Sequence, residues 1–191
     1  MAVLCDNDIK KIINEEGAVE VEDGPELDVK SQVGPSSIDL RLGYEFGFLE
    51  TRKVEALDTR SMEGMELQKE LTADSDEGVV VHPGEFVLST TLETVDVPDD
   101  MVARVEGRSS YARLGLIPHA AGGFVDAGFR GQITLEIQNL GNVPIRIYPE
   151  DRICQLAFEM MTGEAGTPYG DRDSSKYMEQ EGATASRLER E

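Results

Sequence analysis

The sequence is poor in long apolar runs, in cysteine and in histidine, and each shortage excludes a class of protein. No run approaches the roughly 18 apolar residues of a membrane-spanning helix, and the start, MAVLCDNDIKK, lacks the apolar core of a signal peptide. We therefore expect a cytoplasmic protein without membrane contact. Cys5 and Cys154 are too few and too far apart for a disulfide framework or a zinc site. With only His82 and His119, a metal enzyme that needs several histidines is disfavoured.

Positive charge is also scarce. The chain has 38 Asp and Glu against 18 Lys and Arg, which gives a formal net charge of -20. Such a surface repels nucleic-acid backbones, so no nucleic-acid polymer is expected as a partner, and an anionic ligand must be small and met by a local basic cluster. We interpret the acidic excess as adaptation of a halophile to a salt-rich cytosol, where salt screens the self-repulsion. An acidic protein from an ordinary cell is the alternative.

What is present indicates one domain of mostly β structure. Its 191 residues are enough for a single hydrophobic core. Ile9, Ile12 and Ile13 recur at helical spacing behind Asp6, which we predict as the N-cap of a short surface helix. From about Val33, short apolar runs alternate with Gly, Pro and Asp, which is typical of an all-β sandwich or barrel.

The remaining segments complete the predicted organisation. Residues 1–161 are expected to form the β domain with its N-terminal helix. The acidic stretch from Glu63 to Gly78 is predicted as an exposed excursion between strands. Residues 162–191 are polar and Gly-rich, and we predict a tail with little core of its own.

Two segments alternate as strands with one apolar face. In GQITLEIQNL the apolar face carries Ile133, Leu135 and Ile137, and the opposite face carries Thr134, Glu136 and Gln138. In RICQLAFEM the apolar face carries Cys154, Leu156 and Phe158, and Gln155 points the other way. Glu136 and Gln155 are therefore candidate site residues, and a solvated strand face is the alternative for both.

The segment GRSSYARLGL carries a basic cluster in an otherwise acidic chain. Ser109 and Ser110 stand where a short helix would begin, between Arg108 and Arg113. A serine N-cap leaves backbone N–H groups free at a positive helix end, and guanidinium groups match phosphate oxygens. The segment is a candidate polyphosphate cradle, and an N-capped surface helix with ordinary salt bridges is the alternative.

The segment HAAGGFVDAGFRGQITLE combines small residues with two carboxylates. The run from Ala120 to Gly123 has almost no side chain, so its backbone can approach a flat ligand closely. Of Asp126 and Glu136, one can accept hydrogen bonds from a sugar hydroxyl while the other moves protons at a base ring. A turn capped by the Asp126 side chain is the alternative for that residue, and His119 is open between a structural role and ligand contact.

The segments SSIDLRLG, GRSSYARLGL, DAGFRGQITLE and PYGDRDSSKYMEQEGATASR together resemble those of the dCTP deaminase family, relatives of the trimeric dUTPases. The resemblance runs over nearly the whole chain. It implies a dUTPase-like distorted β-barrel or jelly roll with short helices, assembled as a homotrimer with active sites at subunit interfaces. It also implies a hydrolase that binds the nucleotide dCTP and deaminates it on the route to dUMP and dTTP in pyrimidine deoxynucleotide biosynthesis.

The resemblance implies a set of site residues. The triphosphate-binding segment would consist of Arg108, Ser109, Ser110, Tyr111, Ala112 and Arg113. Asp126 matches the residue that receives the deoxyribose 3'-hydroxyl, and the segment that lines the base matches Thr134, Leu135 and Glu136. Gln155 also resembles a substrate-binding position. In the tail, the residues that close over the nucleotide match Tyr169, Lys176 and Gln180, so the tail is expected to act as a lid.

Glu136 is the implied catalytic carboxylate. Deamination requires water to add at C4 of cytosine, and one carboxyl group can move the proton of that water to the ring nitrogen and to the leaving ammonia. We expect Ser109, Arg113 and the backbone of Ala120 to position the water. Magnesium is expected to arrive on the substrate triphosphate, and no zinc is expected, because the H-x-E and P-C-x-x-C signature of zinc deaminases is missing.

The chain departs from the family pattern beside the base. Many members have H-x-T-A where this chain has His119, Ala120, Ala121 and Gly122, so a threonine hydroxyl is missing. Phe124 stands where monofunctional bacterial deaminases often have a basic residue, and G-F-V-D-A-G-F and Gln155 are closer to bifunctional members that also hydrolyse dUTP.

Three functions stay open at this point. A deaminase that releases dUTP is the main interpretation, and a bifunctional dCTP deaminase/dUTP diphosphatase that forms dUMP and pyrophosphate is the alternative. A non-catalytic nucleotide-binding trimer is the third. The resemblance also makes dTTP the expected feedback inhibitor.

Overall fold

The computed structural model describes residues 2–49, 59–60 and 67–188, and strands dominate it. The helices are α1 (Asp6–Glu16), α2 (Val29–Gln32) and α3 (Ser109–Ala112), with a 3-10 turn at Tyr169–Asp171. The strands are β1 (Val19–Glu20), β2 (Ile38–Leu49), β3 (Leu67–Thr72), β4 (Val79–Val81), β5 (Phe86–Asp96), β6 (Met101–Gly107), β7 (Leu116–Ile117), β8 (Phe124–Val125), β9 (Arg130–Asn139), β10 (Ile145–Ile147) and β11 (Arg152–Met160). This confirms the all-β class with short helices. None of the described helices is long and apolar enough to cross a membrane.

Helix α1 lies where the apolar spacing predicts it, and Ile9, Ile12 and Ile13 are buried. The predicted N-cap is wrong by one residue, because Cys5 occupies the N-cap position and Asp6 is the first helical residue. The Asp6 carboxylate contacts Lys10 Nζ at 2.7 Å, one turn along the helix, instead of capping a backbone N–H.

Nine strands of the described residues form one antiparallel sheet that curls into a half-barrel. Its order is β7-β9-β5-β2-β11-β6-β8, with β1 also on β5 and β3 also on β2, while β4 and β10 form a separate pair. Strand β2 joins the two halves of the sheet. Its first residues pair with β11, and after a register shift its later residues pair with β3 and β5.

The predicted strand alternation is confirmed. Along β9, buried and partly exposed residues alternate over all ten positions, with Leu135 and Ile137 fully buried and Glu136 on the other face. In β11, Cys154, Leu156 and Phe158 are fully buried, and Gln155 points away from the core. Period-two side chains of a half-buried strand produce this pattern.

Two predicted irregular segments are more ordered than expected. Residues 63–66 of the acidic stretch lie outside the described residues. Leu67–Thr72 is a strand that pairs with β2, so the excursion between strands is wrong for this part, whereas residues 74–77 are exposed as predicted. The tail after Met161 folds back on the domain: Tyr169 and Tyr177 pack against the core, and Gln180 is buried. Backbone pairing supplies this order, since Gln180 bridges Gly131 of β9.

A buried ion pair fixes β2 to β5, and no sequence pattern predicted it. Glu93 is fully buried and accepts hydrogen bonds from Arg41 Nε at 2.7 Å and from the Arg41 backbone N–H at 2.8 Å. Gln32 of α2 donates from Nε2 both to Glu93 Oε1 and to the Asp39 carbonyl, each at 2.9 Å. The network joins α2 and the start of β2 to the sheet.

Candidate functional site

A cavity of about 500 Å³ opens beside the polar face of β9. Its walls come from β9, from the segment that connects β7 to β9, and from the tail. The C-terminal end of β2 and the N-terminal end of β5 complete them. Of the predicted site residues, it is lined by Asp126, Thr134, Glu136, Tyr169 and Gln180. The fold therefore brings together five predicted positions from three separate segments.

Unpartnered polar atoms mark this cavity as a ligand site. Within the described residues, the buried side-chain atoms without a hydrogen-bond partner are Nδ1 and Nε2 of His119, Oγ1 of Thr134 and Oε1 of Gln180. All three residues line the cavity. Buried polar groups are nearly always hydrogen-bonded, and leaving one without a partner costs about 1–3 kcal/mol. The arrangement suits a flat ligand with several donors and acceptors.

Glu136 is held at one oxygen and open at the other. The backbone N–H of Ala121 donates to Glu136 Oε2 at 3.2 Å. His119 Nδ1 is also 3.2 Å from Oε2, but its direction does not make a hydrogen bond, so this contact is a close approach only. The Glu136 side chain is 30% exposed, and Oε1 accepts no hydrogen bond from the part of the chain that the structure describes. A carboxylate fixed in this way can present Oε1 to a water or a base ring.

Close packing explains the run of small residues. A Cβ on Gly123 would lie 2.9 Å from the Val105 carbonyl oxygen and 3.2 Å from His119 Cδ2, so no larger residue fits there. Gly122 has a φ of +68°, a left-handed conformation that glycine adopts without strain. At position 121, where many family members have threonine, the backbone N–H of Ala121 contacts the carboxylate and there is no hydroxyl.

Asp126 follows β8 and is exposed at the cavity wall. Its backbone carbonyl accepts from the Phe129 N–H in the turn, but among the described residues its carboxylate caps no backbone group. The alternative of a capping side chain is therefore wrong. Beneath it, the Phe129 ring packs edge-on against Tyr169, with centroids 5.8 Å apart.

Hydrogen bonds to the domain and within the tail itself hold the tail over the cavity. Tyr169 N–H donates to the Ala127 carbonyl at 2.8 Å, and the Tyr169 hydroxyl accepts from the backbone N–H groups of Lys176 and Tyr177 at 3.2 and 3.1 Å. Gln180 Nε2 donates to the Gln132 carbonyl at 2.6 Å. Tyr169 and Gln180 reach the cavity, whereas Lys176 is not among its lining residues.

Arg108, Ser109, Ser110, Tyr111, Ala112, Arg113 and Gln155 do not line this cavity in the single chain. The predicted serine N-cap is wrong, since Arg108 occupies the N-cap position of α3 and Ser109 is the first helical residue. Gln155 lies beside Ser37, whose hydroxyl donates to Gln155 Oε1 at 3.4 Å. Leu135 cannot line a base with its side chain, which is fully buried in the core.

Sequence reasoning missed several residues of the cavity. The aromatic residues Phe129 and Tyr177 and the segment Thr184–Ser186 also line it. Phe129 stands in the same DAGF segment as Asp126, but no sequence pattern marked it as a lining residue. No periodicity marks Tyr177 or residues 184–186, which reach the cavity through tail folding.

Known proteins share both the sequence and the fold. A family model described as dCTP deaminase-like matches residues 3–161. A protein of Methanosphaera stadtmanae named dCTP deaminase, dUMP-forming, is 45% identical over 98% of this chain and 94% of its own length. A protein of the same name from Dictyoglomus thermophilum is 47% identical, over 97% of this chain and 94% of its own length.

A solved structure supports the architecture. The 2'-deoxycytidine 5'-triphosphate deaminase of Agrobacterium tumefaciens superimposes with a TM-score of 0.63 at 23% identity, covering 83% of this chain and 47% of the other. At this identity the likeness shows the fold alone, and the fold agrees with the distorted barrel expected from the sequence. From the family model and the identity to these relatives, the chain belongs to the dCTP deaminase-like family.

Proposed function

We propose that the protein is a bifunctional dCTP deaminase that converts dCTP and two waters to dUMP, ammonia and pyrophosphate. The observation that carries the proposal is the fixed carboxylate of Glu136 in a cavity lined by unpartnered polar atoms. The relatives at 45% and 47% identity are named dUMP-forming. They favour the alternative from the sequence over the main interpretation, in which dUTP is released.

Deamination needs one group that takes and returns protons. As water adds to C4 of cytosine, Glu136 takes one of its protons and gives it to N3. The same carboxylate then takes the proton of the resulting C4 hydroxyl and gives it to the amino group, which leaves as ammonia. The Ala121 N–H holds Oε2, so Oε1 keeps a constant position toward the ring. His119 lines the cavity beside the carboxylate with Nδ1 3.2 Å from Oε2, and its Nε2 is available for the ligand or its water.

Recognition of the nucleoside uses the other open atoms of the cavity. Thr134 Oγ1 and Gln180 Oε1 are buried and offer hydrogen-bonding capacity to the ligand. Asp126, which has no local partner, is suited to accept from the deoxyribose 3'-hydroxyl. The family resemblance supports both assignments.

The second reaction requires water to attack the α-phosphate of bound dUTP. Asp126 or Glu136 would direct this water, and magnesium carried on the triphosphate, with arginine, would stabilise the developing charge. The segment Arg108–Arg113 lies away from the cavity of its own chain, so we propose a homotrimer in which a neighbouring subunit supplies it.

Three further proposals rest on the family resemblance and the charge. The protein acts in the cytoplasm, dTTP inhibits it by feedback, and its acidic surface is adapted to high salt. The last of these is tested below.

The products decide between the candidate functions. The purified protein is incubated with dCTP and magnesium in molar KCl without added zinc, and nucleotides are separated by ion exchange while ammonia and pyrophosphate are measured. Equal amounts of dUMP, ammonia and pyrophosphate are expected. Accumulating dUTP without pyrophosphate would identify a monofunctional deaminase, and dCTP binding without turnover would identify a binding protein.

A further inference from the structure

The motif SSIDLRLG has no role in the function described so far, yet its aspartate contacts the basic segment. Asp39 Oδ2 lies 3.2 Å from Arg108 Nη2 and 3.6 Å from Arg152 Nη1. The Asp39 side chain is 18% exposed and that of Arg108 is 28% exposed. This ion pair therefore sits at the base of the segment that the family resemblance assigns to the triphosphate.

Two nitrogens of the Arg108 guanidinium contact other groups of the protein. Nη1 donates to the Arg152 carbonyl at 2.7 Å, and Nη2 faces the Asp39 carboxylate. The Arg108 carbonyl in turn accepts the N–H groups of Tyr111 and Ala112, so Arg108 holds the first turn of α3. A guanidinium that is neutralised by a carboxylate and bonded to a carbonyl attracts a phosphate less strongly than an arginine without such partners.

A second contact fixes α3 to the same part of the molecule. The Tyr111 hydroxyl donates to Asp151 Oδ2 at 3.2 Å, next to Arg152 at the start of β11. Asp39, the partner of Arg108, is also held in place, because its backbone carbonyl accepts a hydrogen bond from Gln32, which belongs to the buried Glu93 network. Thus α3 is held to the core of the sheet from two sides.

Arg113 differs from Arg108 in its surroundings. It follows α3 and is exposed, and within the described part of the chain its guanidinium has no hydrogen bond or ion pair. Arg113 is therefore the arginine of this segment that is available to a phosphate, at a position set by the anchored helix.

We propose that Asp39 is a positioning residue for triphosphate binding: it holds Arg108 as an anchor of α3, and the anchored segment presents Arg113 to the phosphates. This assignment rests on the proposed function. It differs from the family-based expectation that Arg108 itself binds the substrate.

Asp39→Asn tests the proposal because simple electrostatics predicts a lower KM for dCTP, whereas a positioning role predicts a higher one. Removing a carboxylate from a protein of net charge -20 lowers its repulsion of a triphosphate, and it also releases Arg108. Positioning predicts the reverse: the KM for dCTP rises about five- to tenfold while kcat for ammonia release stays within about twofold. Binding of deoxycytidine, which has no phosphate, is expected to be unchanged.

Asp76→Asn is the matched control, because Asp76 is an exposed aspartate on another loop. It should leave the KM for dCTP unchanged.

A double-mutant cycle combines Asp39→Asn with Arg108→Gln. Their effects on the KM for dCTP should be strongly non-additive, since both changes break the same ion pair. A KM that is unchanged or lower in Asp39→Asn, with additive effects in the cycle, would overturn the proposal. A merely structural role would lower the melting temperature and leave KM as it was.

A crystal structure of the Glu136→Gln protein with dCTP tests the same point without altering the anchor. Arg108 should remain on Asp39 while Arg113 contacts phosphate oxygens, and Arg108 on the phosphates with Asp39 released would contradict the proposal. Failure of the wild-type protein to bind dCTP would instead refute the proposed function, so the two failures are distinguishable.

Discussion

The backbone N–H of Ala121 donates to Glu136 Oε2 at 3.2 Å, which ties the glycine-rich loop to the carboxylate on β9. The contact needs the loop to lie close to the sheet, and at Gly123 that approach leaves no room for a Cβ. Gly123, which has no room for a side chain beside Val105, thus keeps the loop close to the sheet and to the carboxylate.

Gly123→Ala tests this packing. Its Cβ would lie 2.9 Å from the Val105 carbonyl oxygen, a distance that forces the loop away from β6. We expect a loss of about 1–3 kcal/mol in the free energy of unfolding, measured with urea, and a reduced kcat. Gly163→Ala is the control, because nothing lies within 4 Å of its added Cβ, and it should stay within about 0.5 kcal/mol of wild type. Equal stability of the two variants would refute the packing argument.

Glu93→Gln tests the buried ion pair. The neutral amide leaves the nearly buried Arg41 without its counter-charge, and breaking such a pair costs about 3–5 kcal/mol. Asp96→Asn is the comparison, since the Arg130–Asp96 pair is solvent-exposed and should contribute about 1 kcal/mol or less. Urea unfolding of both variants measures the difference, and a loss in Glu93→Gln no larger than in Asp96→Asn would contradict the expectation.

The raised pKa of Tyr111 predicts that the free energy of unfolding changes at alkaline pH. Burial, together with the adjacent Asp151 carboxylate, raises the pKa of Tyr111 to about 12 from 10.0. Because the pKa is higher in the folded chain, the protonated phenol stabilises the fold below about pH 10, and this contribution is lost as the pH rises toward about 12. The free energy of unfolding of the wild type should therefore fall more steeply over that range than that of Tyr111→Phe. Parallel curves would show that the phenol has no such coupling.

The net charge of -20 predicts a stability that depends on salt. Molar KCl shortens the screening length to about 3 Å and so removes most of the repulsion among surface carboxylates. The melting temperature should rise between low and molar KCl, and KCl is chosen because sulfate would strengthen apolar burial by another route. A melting temperature that does not rise would remove the interpretation as salt adaptation.

The sequence predicted the elements whose pattern is local. Period-two alternation placed Glu136 and Gln155 on the polar faces of their strands, and helical spacing found α1. The short helix in GRSSYARLGL was predicted as well, but its N-cap is Arg108 rather than a serine, and Arg108 is held by Asp39 and by the Arg152 carbonyl from distant strands. A local motif cannot contain that information.

Long-range pairing accounts for the rest. The tail has the composition of an irregular segment, yet backbone bonds to β9 order it around Gln180. The Arg41–Glu93 pair joins residues 52 positions apart and leaves no periodic trace in the sequence. Similarly, the open atoms of His119, Thr134 and Gln180 become a common feature only when three segments meet.

The most direct test of the account compares Glu136→Gln with wild type in dCTP turnover and dCTP binding. The amide keeps the shape of the side chain but cannot take the proton of the attacking water, so ammonia release should fall by about 10²–10⁴-fold while the dissociation constant for dCTP changes little. Glu77→Gln, an exposed glutamate on another loop, serves as the control and should retain full activity. Near-wild-type ammonia release by Glu136→Gln would contradict the central claim that this carboxylate moves the protons of deamination.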